Sequence, residues 1–302
     1  MWFKNLCIFR LTDPFTLTNT ELEQQLNTLS FHPCGGHEPS SMGWSPPLGG
    51  TSEHLLHVCN GFILLVAKKE ERVLPTSVIN EMVQEKIIAT EDQQGYKLSK
   101  KERTKLKDDT IFELLPKAFT FSKKFYAYLD PQGGWLIIDS ASSKNAEDVV
   151  SLLRQSLGSL QAIPIHTNEK PSTVMTRWLT DAMPPQNITI ADECELRSPD
   201  ESGGIIRCKR HDLNVPEIQQ HLDKGKQVIK LAITWSERMA FIIDEHFIIK
   251  RLRFLDLIQD QIADLETNNE IEQLDANFSI MTAELAAFLP PFLEMFGGEV
   301  KA

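Results

Sequence analysis

The sequence has no run of eighteen apolar residues and no Cys-x-x-Cys pair. The first absence predicts a chain without a membrane-spanning helix, so we expect no membrane contact. The five cysteines, at positions 7, 34, 59, 194 and 208, are odd in number and scattered, which favours reduced thiols over a disulfide framework. The first residues are typical of a strand and lack the basic and apolar regions of a secretion signal. We therefore expect a cytoplasmic protein.

Sequence patterns of several enzyme classes are also missing. There is no Gly-x-x-x-x-Gly-Lys-Ser/Thr phosphate loop, no Gly-x-Ser-x-Gly and no His-Glu-x-x-His. A nuclease needs clustered carboxylates to hold Mg²⁺, and only Glu299-Val-Lys301 resembles the end of such a pattern. We therefore expect no enzymatic activity and no cofactor. A metal-dependent DNA-processing enzyme is the alternative.

Potential zinc ligands are concentrated between residues 32 and 59. They are His32, Cys34, His37, His54, His57 and Cys59. A zinc site needs four ligands in a tetrahedron. His57 and Cys59, however, fall in a predicted strand on the side that faces the core, and the glycines and prolines of residues 32–50 are sufficiently explained by turns. We predict no metal site.

Strand and helix patterns occur in mixed order along the chain. Alternating apolar residues predict strands at 3–11, 55–67, 125–129, 135–139 and 204–210 and a meander at 227–254. Helical spacing predicts helices at 21–29, 77–90, 99–115, 144–157, from Pro171, up to Leu222 and in the C-terminal stretch. Thr18 or Asn19 is expected to cap the first helix, Ser99 and Glu102 have the spacing of a capping box, and Ser143 is expected to cap the helix at 144–157. This order predicts an α+β fold with mixed antiparallel sheets and a helical arm. We divide it into a central region (1–75 and 119–170), the arm (76–118) and a C-terminal base region (171–302).

The net charge of −11 is unevenly distributed. Residues 68–124 hold 13 Lys and Arg against 10 Asp and Glu, and residues 207–253 hold 10 against 6. A polyanion responds to the potential within about one Debye length, roughly 8–10 Å, so a basic face can bind DNA although the whole chain is acidic. The alternative is that these segments are only solvated, lysine-rich faces.

Basic residues form three clusters within these two segments. The candidate DNA-binding residues are Lys97, Lys100, Lys101 and Lys117; Arg207, Lys209, Arg210 and His211; and Lys250 and Arg251, followed by Arg253. On a helix, Lys97, Lys101 and Lys105 would form one stripe. Such cations neutralise phosphates without selecting bases, and no helix-turn-helix, zinc finger or RNP aromatic pair is present. We predict DNA binding without sequence preference.

Two other interpretations concern the phenylalanines after the arm and the C-terminal stretch. Phe119 and Phe121 lie among cations, but core packing or an interface contact explains them better than base stacking. The acidic C-terminal helices could instead make the protein an interaction module for a basic partner.

The sequence resembles the RdgC family of bacterial recombination-associated DNA-binding proteins nearly from end to end. The resemblance rests on the shared order of Trp2-Phe-Lys-Asn-Leu, Met42-Gly-Trp-x-Pro-Pro-x-Gly, His57-x-x-Asn-Gly, Leu114-Leu-Pro-Lys-Ala-Phe119, Leu153-Arg-x-Ser-Leu-Gly-Ser-Leu, Gly203-Gly-x-Ile-Arg and Lys250-Arg-Leu-x-Phe. Ala283 and Gln161-Ala depart from the family pattern. Neither lies in a basic cluster.

The resemblance implies a homodimer that closes into a ring, with double-stranded DNA passing through a positively lined hole. It implies single-stranded DNA as a second candidate ligand, antagonism of RecA, and a nucleoid-associated place in the cytoplasm. It further implies that Phe119 is the interface residue of the arm, which then forms the dimer tip. Lys117, Arg210 and His211 would face the hole or its gate.

Overall fold

Two antiparallel sheets organise the protein, for which the computed structural model describes residues 1–200, 203–255 and 269–300. The first sheet contains β1 (Cys7–Leu11), β2 (Ser40–Trp44), β3 (Leu56–Cys59), β4 (Phe62–Val73), β5 (Phe119–Asp130), β6 (Trp135–Ile138) and β7 (Ala162–Pro164). Its order is β2-β4-β5-β6-β1-β7, and β3 also pairs with β4. The predicted antiparallel α+β class is confirmed.

The second sheet is built entirely from the C-terminal half. It contains β8 (Ile188–Arg197), β9 (Ile205–Lys209), β10 (Gln227–Trp235), β11 (Met239–Asp244) and β12 (Ile249–Phe254), in the order β12-β11-β10-β8-β9. The predicted meander corresponds to β10, β11 and β12. The sequence patterns did not predict β8, which lies between β10 and the edge strand β9.

The described helices are α1 (Asn19–Asn27), α2 (Thr76–Gln94), α3 (Lys100–Leu114), α4 (Ser143–Leu157), α5 (Pro171–Thr180), α6 (Pro216–Asp223) and α7 (Glu270–Glu294). Ser99 forms the predicted capping box with Glu102, and Thr18, one of the two predicted caps of α1, also forms one with Glu21. Ser143 was expected to cap α4, but it is the first residue of the helix. Ser142 occupies the cap position.

Helix α7 lies between the two sheets and joins their cores. Its Phe278 contacts Tyr128 of β5, with ring centroids 6.0 Å apart, and its Phe288 and Phe292 contact Trp235 of β10 at 5.3 and 6.0 Å. An 18-residue stretch within residues 271–294 has the length and the mean hydropathy, 1.2, of a membrane span, and half of this stretch is buried within the protein. The apolar face of α7 is thus accounted for by core packing.

The arm is an insertion at the far end of a long hairpin. Strands β4 and β5 pair continuously from Ile63 opposite Leu129 to Val73 opposite Phe119, and α2 and α3 connect their ends. The predicted strand at 125–129 lies within β5, but its predicted start was wrong, since β5 begins at Phe119. Residues 119–124 are exposed on both sides of the ladder, so they lack the apolar alternation that marks a half-buried strand.

Candidate nucleic-acid interface

One face of the second sheet is open to solvent. Along β10, Leu231, Ile233 and Trp235 are buried, because successive side chains of a strand point to opposite faces. These residues pack against the helices, while Ala232 and Thr234 between them line the open face. The same alternation on the neighbouring strands gathers side chains from distant parts of the chain on one surface.

A groove of about 820 Å³ crosses this open face. Its lining includes Ala232 and Ala240, whose small side chains leave open space above the centre of the sheet. Four cations also line it: Lys4, Arg210, Arg251 and Arg253. Arg210, Arg251 and Arg253 belong to the basic clusters, whereas Lys4 comes from the other end of the chain.

Backbone contacts between the two sheets bring Lys4 to the groove. Leu6 and Ile249 exchange two backbone hydrogen bonds of 2.8 and 3.1 Å, and Leu252 donates its N–H to the carbonyl of Lys4 at 2.8 Å. The N-terminal segment therefore lies beside β12. Sequence reasoning missed Lys4 because an isolated lysine carries no local signal of this placement.

The cluster from Arg207 to His211 follows the edge strand and the turn after it. Arg207 and Lys209 lie on exposed positions of β9, and their side chains are 65% and 59% exposed. Arg210 has a left-handed backbone conformation, φ 54°, and the N–H of His211 donates to the carbonyl of Asp192 at 3.2 Å. This turn places Arg210 at the groove, and both Arg210 and His211 are exposed.

Two glutamates of β8 lie among these cations. Glu193 is 2.9 Å from Arg251 Nη1 and 3.8 Å from Lys209 Nζ. Glu195 is 2.9 Å from Lys230 Nζ and 3.3 Å from Arg207 Nε. Burial raises the pKa of Glu195, but the hydrogen bonds and charges of Lys230 and Arg207 outweigh it, so this pKa lies below its ordinary value. Glu195 is therefore ionised at neutral pH.

Lys250 and Arg251 have different surroundings although they are adjacent. Lys250 Nζ lies 2.7 Å from the buried carboxylate of Asp244, which also accepts the N–H groups of His246 and Ile248. Lys250 thus helps to stabilise the turn before β12. Arg251 has a left-handed conformation, φ 52°, and lines the groove.

The arm cations lie at two separate places. Lys97, Lys100 and Lys101 are exposed at the end of the arm where α2 passes into α3, whereas Lys117 is exposed beside the hairpin. Helix α3 separates the two groups by roughly 20 Å, at 1.5 Å per residue. The expected stripe of Lys97, Lys101 and Lys105 is wrong, because Ser99 caps α3 and Lys97 precedes the helix.

Exposed apolar side chains accompany Lys117. Phe119 is 87% exposed and Phe121 60% exposed, and Val73, which pairs with Phe119, is 50% exposed. Residues i and i+2 of a strand share a face, so these three side chains form one patch. Neither phenylalanine is a core residue in the single chain.

Three of the six potential zinc ligands make other contacts in the structure. His57 Nε2 is 2.7 Å from Asp275 Oδ1 of α7, and the Cys59 thiol lies 3.8 Å from the Asp275 carbonyl. The Cys34 thiol donates to the carbonyl of Glu70. Across residues 1–200, 203–255 and 269–300, no three His, Cys, Asp or Glu side chains are arranged to hold a metal ion.

Comparison with known proteins extends over nearly the whole chain. A family model described as "Putative exonuclease, RdgC" matches residues 1–299. Proteins named recombination-associated protein RdgC from Aeromonas hydrophila, Tolumonas auensis and Psychromonas ingrahamii are 43%, 44% and 40% identical over 299 residues, which cover 99% of both chains in each case. The names of these relatives refer to recombination and not to an enzymatic reaction. The chain belongs to the RdgC family of recombination-associated proteins.

Proposed function

We propose that this protein binds DNA without sequence preference, mainly double-stranded DNA, and that it does so on the open face of the second sheet. The observation that carries the proposal is the groove lined by Lys4, Arg210, Arg251 and Arg253, with Arg207 and Lys209 at its edge. These cations come from three separate parts of the sequence, at residue 4, at 207–210 and at 251–253. The six cations outnumber the three carboxylates of the same face, Asp192, Glu193 and Glu195, which favours a local positive potential that the net charge of −11 conceals.

The form of this surface favours contacts with phosphates over contacts with bases. Base recognition normally requires a helix or a two-stranded ribbon that enters the major groove. A sheet face lined by long, exposed cations can instead follow the sugar-phosphate backbone, which is the same for every sequence. Arg207, Lys209 and Arg210 supply such cations without adding a projecting element.

The exposed patch of Val73, Phe119 and Phe121 supports a homodimer. An aromatic residue that is 87% exposed is better explained by a partner's surface, since buried aromatic residues often dominate the binding energy of interfaces. A twofold dimer can use this patch twice, and a ring closes when a second interface exists elsewhere. In this proposal the arm and hairpin form the tip of the ring, and DNA passes through its hole.

Recombination is the process in which this binding would act. A protein that occupies duplex DNA without sequence preference competes with any filament that must form on or invade that duplex. We therefore propose antagonism of RecA as the biological effect. The test is RecA-catalysed strand exchange with increasing amounts of this protein. We expect wild type to inhibit strand exchange. The variant Lys209→Ala with Arg210→Ala, in which DNA binding should be weakened, should not inhibit it.

A gel-shift series with linear duplex, circular duplex and single strand tests the binding itself. We expect similar affinity for unrelated duplex sequences and a steep loss of affinity with salt. Negligible affinity at moderate salt would contradict the proposal and favour an interaction module for a basic protein.

Incubation of the protein with the same DNA and Mg²⁺ or Mn²⁺ tests the exonuclease activity that the family description names. Shortening or nicking of the DNA would identify an enzyme.

A further inference from the structure

The carboxylates of β8 are placed where DNA phosphates would have to bind. Glu193 and Glu195 are two residues apart, so they share the open face of the sheet. Each is within 4 Å of two cations, Glu193 of Arg251 and Lys209, and Glu195 of Lys230 and Arg207. Three of these four cations are candidate DNA-binding residues. Their charges are therefore already partly compensated in the free protein.

The contact between Glu193 and Arg251 crosses the groove. Glu193 lies on β8 and Arg251 on β12, with β10 and β11 between them. Adjacent strands are about 4.8 Å apart, so the two backbones are separated by roughly 14 Å. Ala232 and Ala240 leave enough space above the sheet for the two long side chains to meet, at 2.9 Å. A phosphate that enters the groove meets this ion pair.

We propose that Glu193 and Glu195 are internal competitors of DNA phosphate for the cations of the groove, and that the Glu193–Arg251 ion pair opens when DNA binds. This inference rests on the proposed function, since it assumes that the open face binds DNA. Arg251 then exchanges one carboxylate oxygen for a phosphate oxygen. Glu193 stays close to the bound phosphate and repels it.

The strengths of these contacts permit the exchange. An exposed ion pair contributes little to stability, because solvent screens it and the side chains lose freedom. The Arg251 side chain is 63% exposed and the Glu193 side chain 24% exposed, so water still reaches their contact and weakens it. Arginine binds phosphate with charge-assisted hydrogen bonds that can be bidentate. The net effect of the glutamates is weaker binding and faster release, which keeps a nonspecific protein mobile on DNA.

The test replaces each glutamate by glutamine, which preserves its size and removes its charge. The variants are Glu193→Gln, Glu195→Gln and the double variant, titrated against one labelled duplex at several salt concentrations. We expect the double variant to bind about fivefold to tenfold more tightly at fixed salt, mainly through slower dissociation. The slope of log affinity against log salt should not change, because the number of phosphates contacted is the same.

Glu169→Gln is the matched control. Glu169 pairs with the exposed Arg177 at 2.8 Å, beside a helix that packs on the other face of the sheet. The control removes the same charge from the whole protein, and we expect an affinity change of less than about twofold. Because Glu195 is buried, Glu193→Gln alone carries the test if the double variant does not fold.

The outcomes separate this inference from the proposed function. Affinity that is unchanged or lower in folded Glu193→Gln would overturn the competition, and would show that the carboxylate only holds its cations in position. No affinity in wild type would overturn DNA binding on this face and the competition with it. In an Arg251→Ala background, Glu193→Gln should give a smaller gain, since one of its two cations is already removed.

Discussion

Phe119 lies directly opposite Val73 at the end of the β4–β5 ladder, where its ring is 87% exposed. The ladder beneath this pair is continuous for eleven residue pairs down to Ile63 and Leu129. The apolar patch is therefore carried on a regular hairpin and not on a loose turn. Such a support holds an interface residue in a fixed position before the partner binds, which lowers the entropic cost of association.

Replacement of Phe119 by serine should open the contact at the arm without unfolding the protein. The exposed ring contributes little to the single chain, so the free energy of unfolding should change by less than about 0.5 kcal/mol. We expect sedimentation to show a dimer held by the second interface. Dissociation from closed circular DNA at fixed salt should be faster, because an open ring can leave sideways. Equal residence times for folded variant and wild type would mean that Phe119 closes no ring.

Arg72 should be important for the stability of the base of the arm. Its guanidinium donates to the carbonyls of Leu115 and Ala118 on the arm side, and to those of Gly35 and Glu38 in the adjoining loop. We expect Arg72→Ala to lower the free energy of unfolding by about 2 kcal/mol and to increase proteolysis near residue 116. Arg177→Ala, which removes one exposed ion pair, is the control and should cost about 0.5 kcal/mol at most.

Asp139 should make stability depend on pH. Burial raises the pKa of Asp139 more than hydrogen bonds from Asn5 and Lys4 lower it. A raised carboxyl pKa in the folded state means that the folded protein holds this proton more tightly. The associated stability is present below the unfolded pKa of about 3.9 and is lost as pH rises through the folded value.

Asp139→Asn tests this relation, because its amide oxygen can accept the same three hydrogen bonds that Asp139 Oδ1 accepts from Lys4 and Asn5. We expect the variant to be more stable than wild type at pH 7, and the difference to disappear as pH falls towards 4. Urea unfolding at several pH values measures it. A variant that is less stable at pH 7 would show that the charged carboxylate is favourable.

The thiols should differ in reactivity in the folded protein. Burial is the largest of the effects that raise the pKa of Cys7 and of Cys194 to about 12 in each case. Because the thiolate is the reactive form, neither residue should react with a disulfide reagent at pH 8 until the protein unfolds. Mass mapping of the labelled cysteines measures this. Labelling of Cys194 as rapid as in urea would contradict its burial within the sheet.

Local patterns predicted those elements whose own residues contain the signal. The alternation of β10 and the capping box at Ser99 are examples. Strand β8 was missed because Asp192, Glu193 and Glu195 are residue types that strands usually disfavour. These acidic residues are tolerated there because two of them pair with cations on neighbouring strands, which only the folded sheet brings together.

The candidate site also contains some residues that the sequence reveals and others that only the fold brings together. The clusters from Arg207 to His211 and at Lys250 and Arg251 are visible because their residues are consecutive in the sequence. The sequence does not show that Lys250 pairs with Asp244 while Arg251 lines the groove. This difference depends on the direction of the two side chains, next to the left-handed backbone of Arg251. Lys4 joins the groove only through the pairing of the N-terminal segment with β12.

The salt dependence of duplex affinity, compared between wild type and Lys209→Ala with Arg210→Ala, tests the central claim most directly. Both side chains are exposed at the edge of the open face, so the variant should remain folded. We expect affinity to fall by a similar factor on two unrelated duplexes. The slope of log affinity against log salt should become shallower by about 1–2. Unchanged affinity and slope, or a loss confined to one sequence, would contradict nonspecific DNA binding on this face.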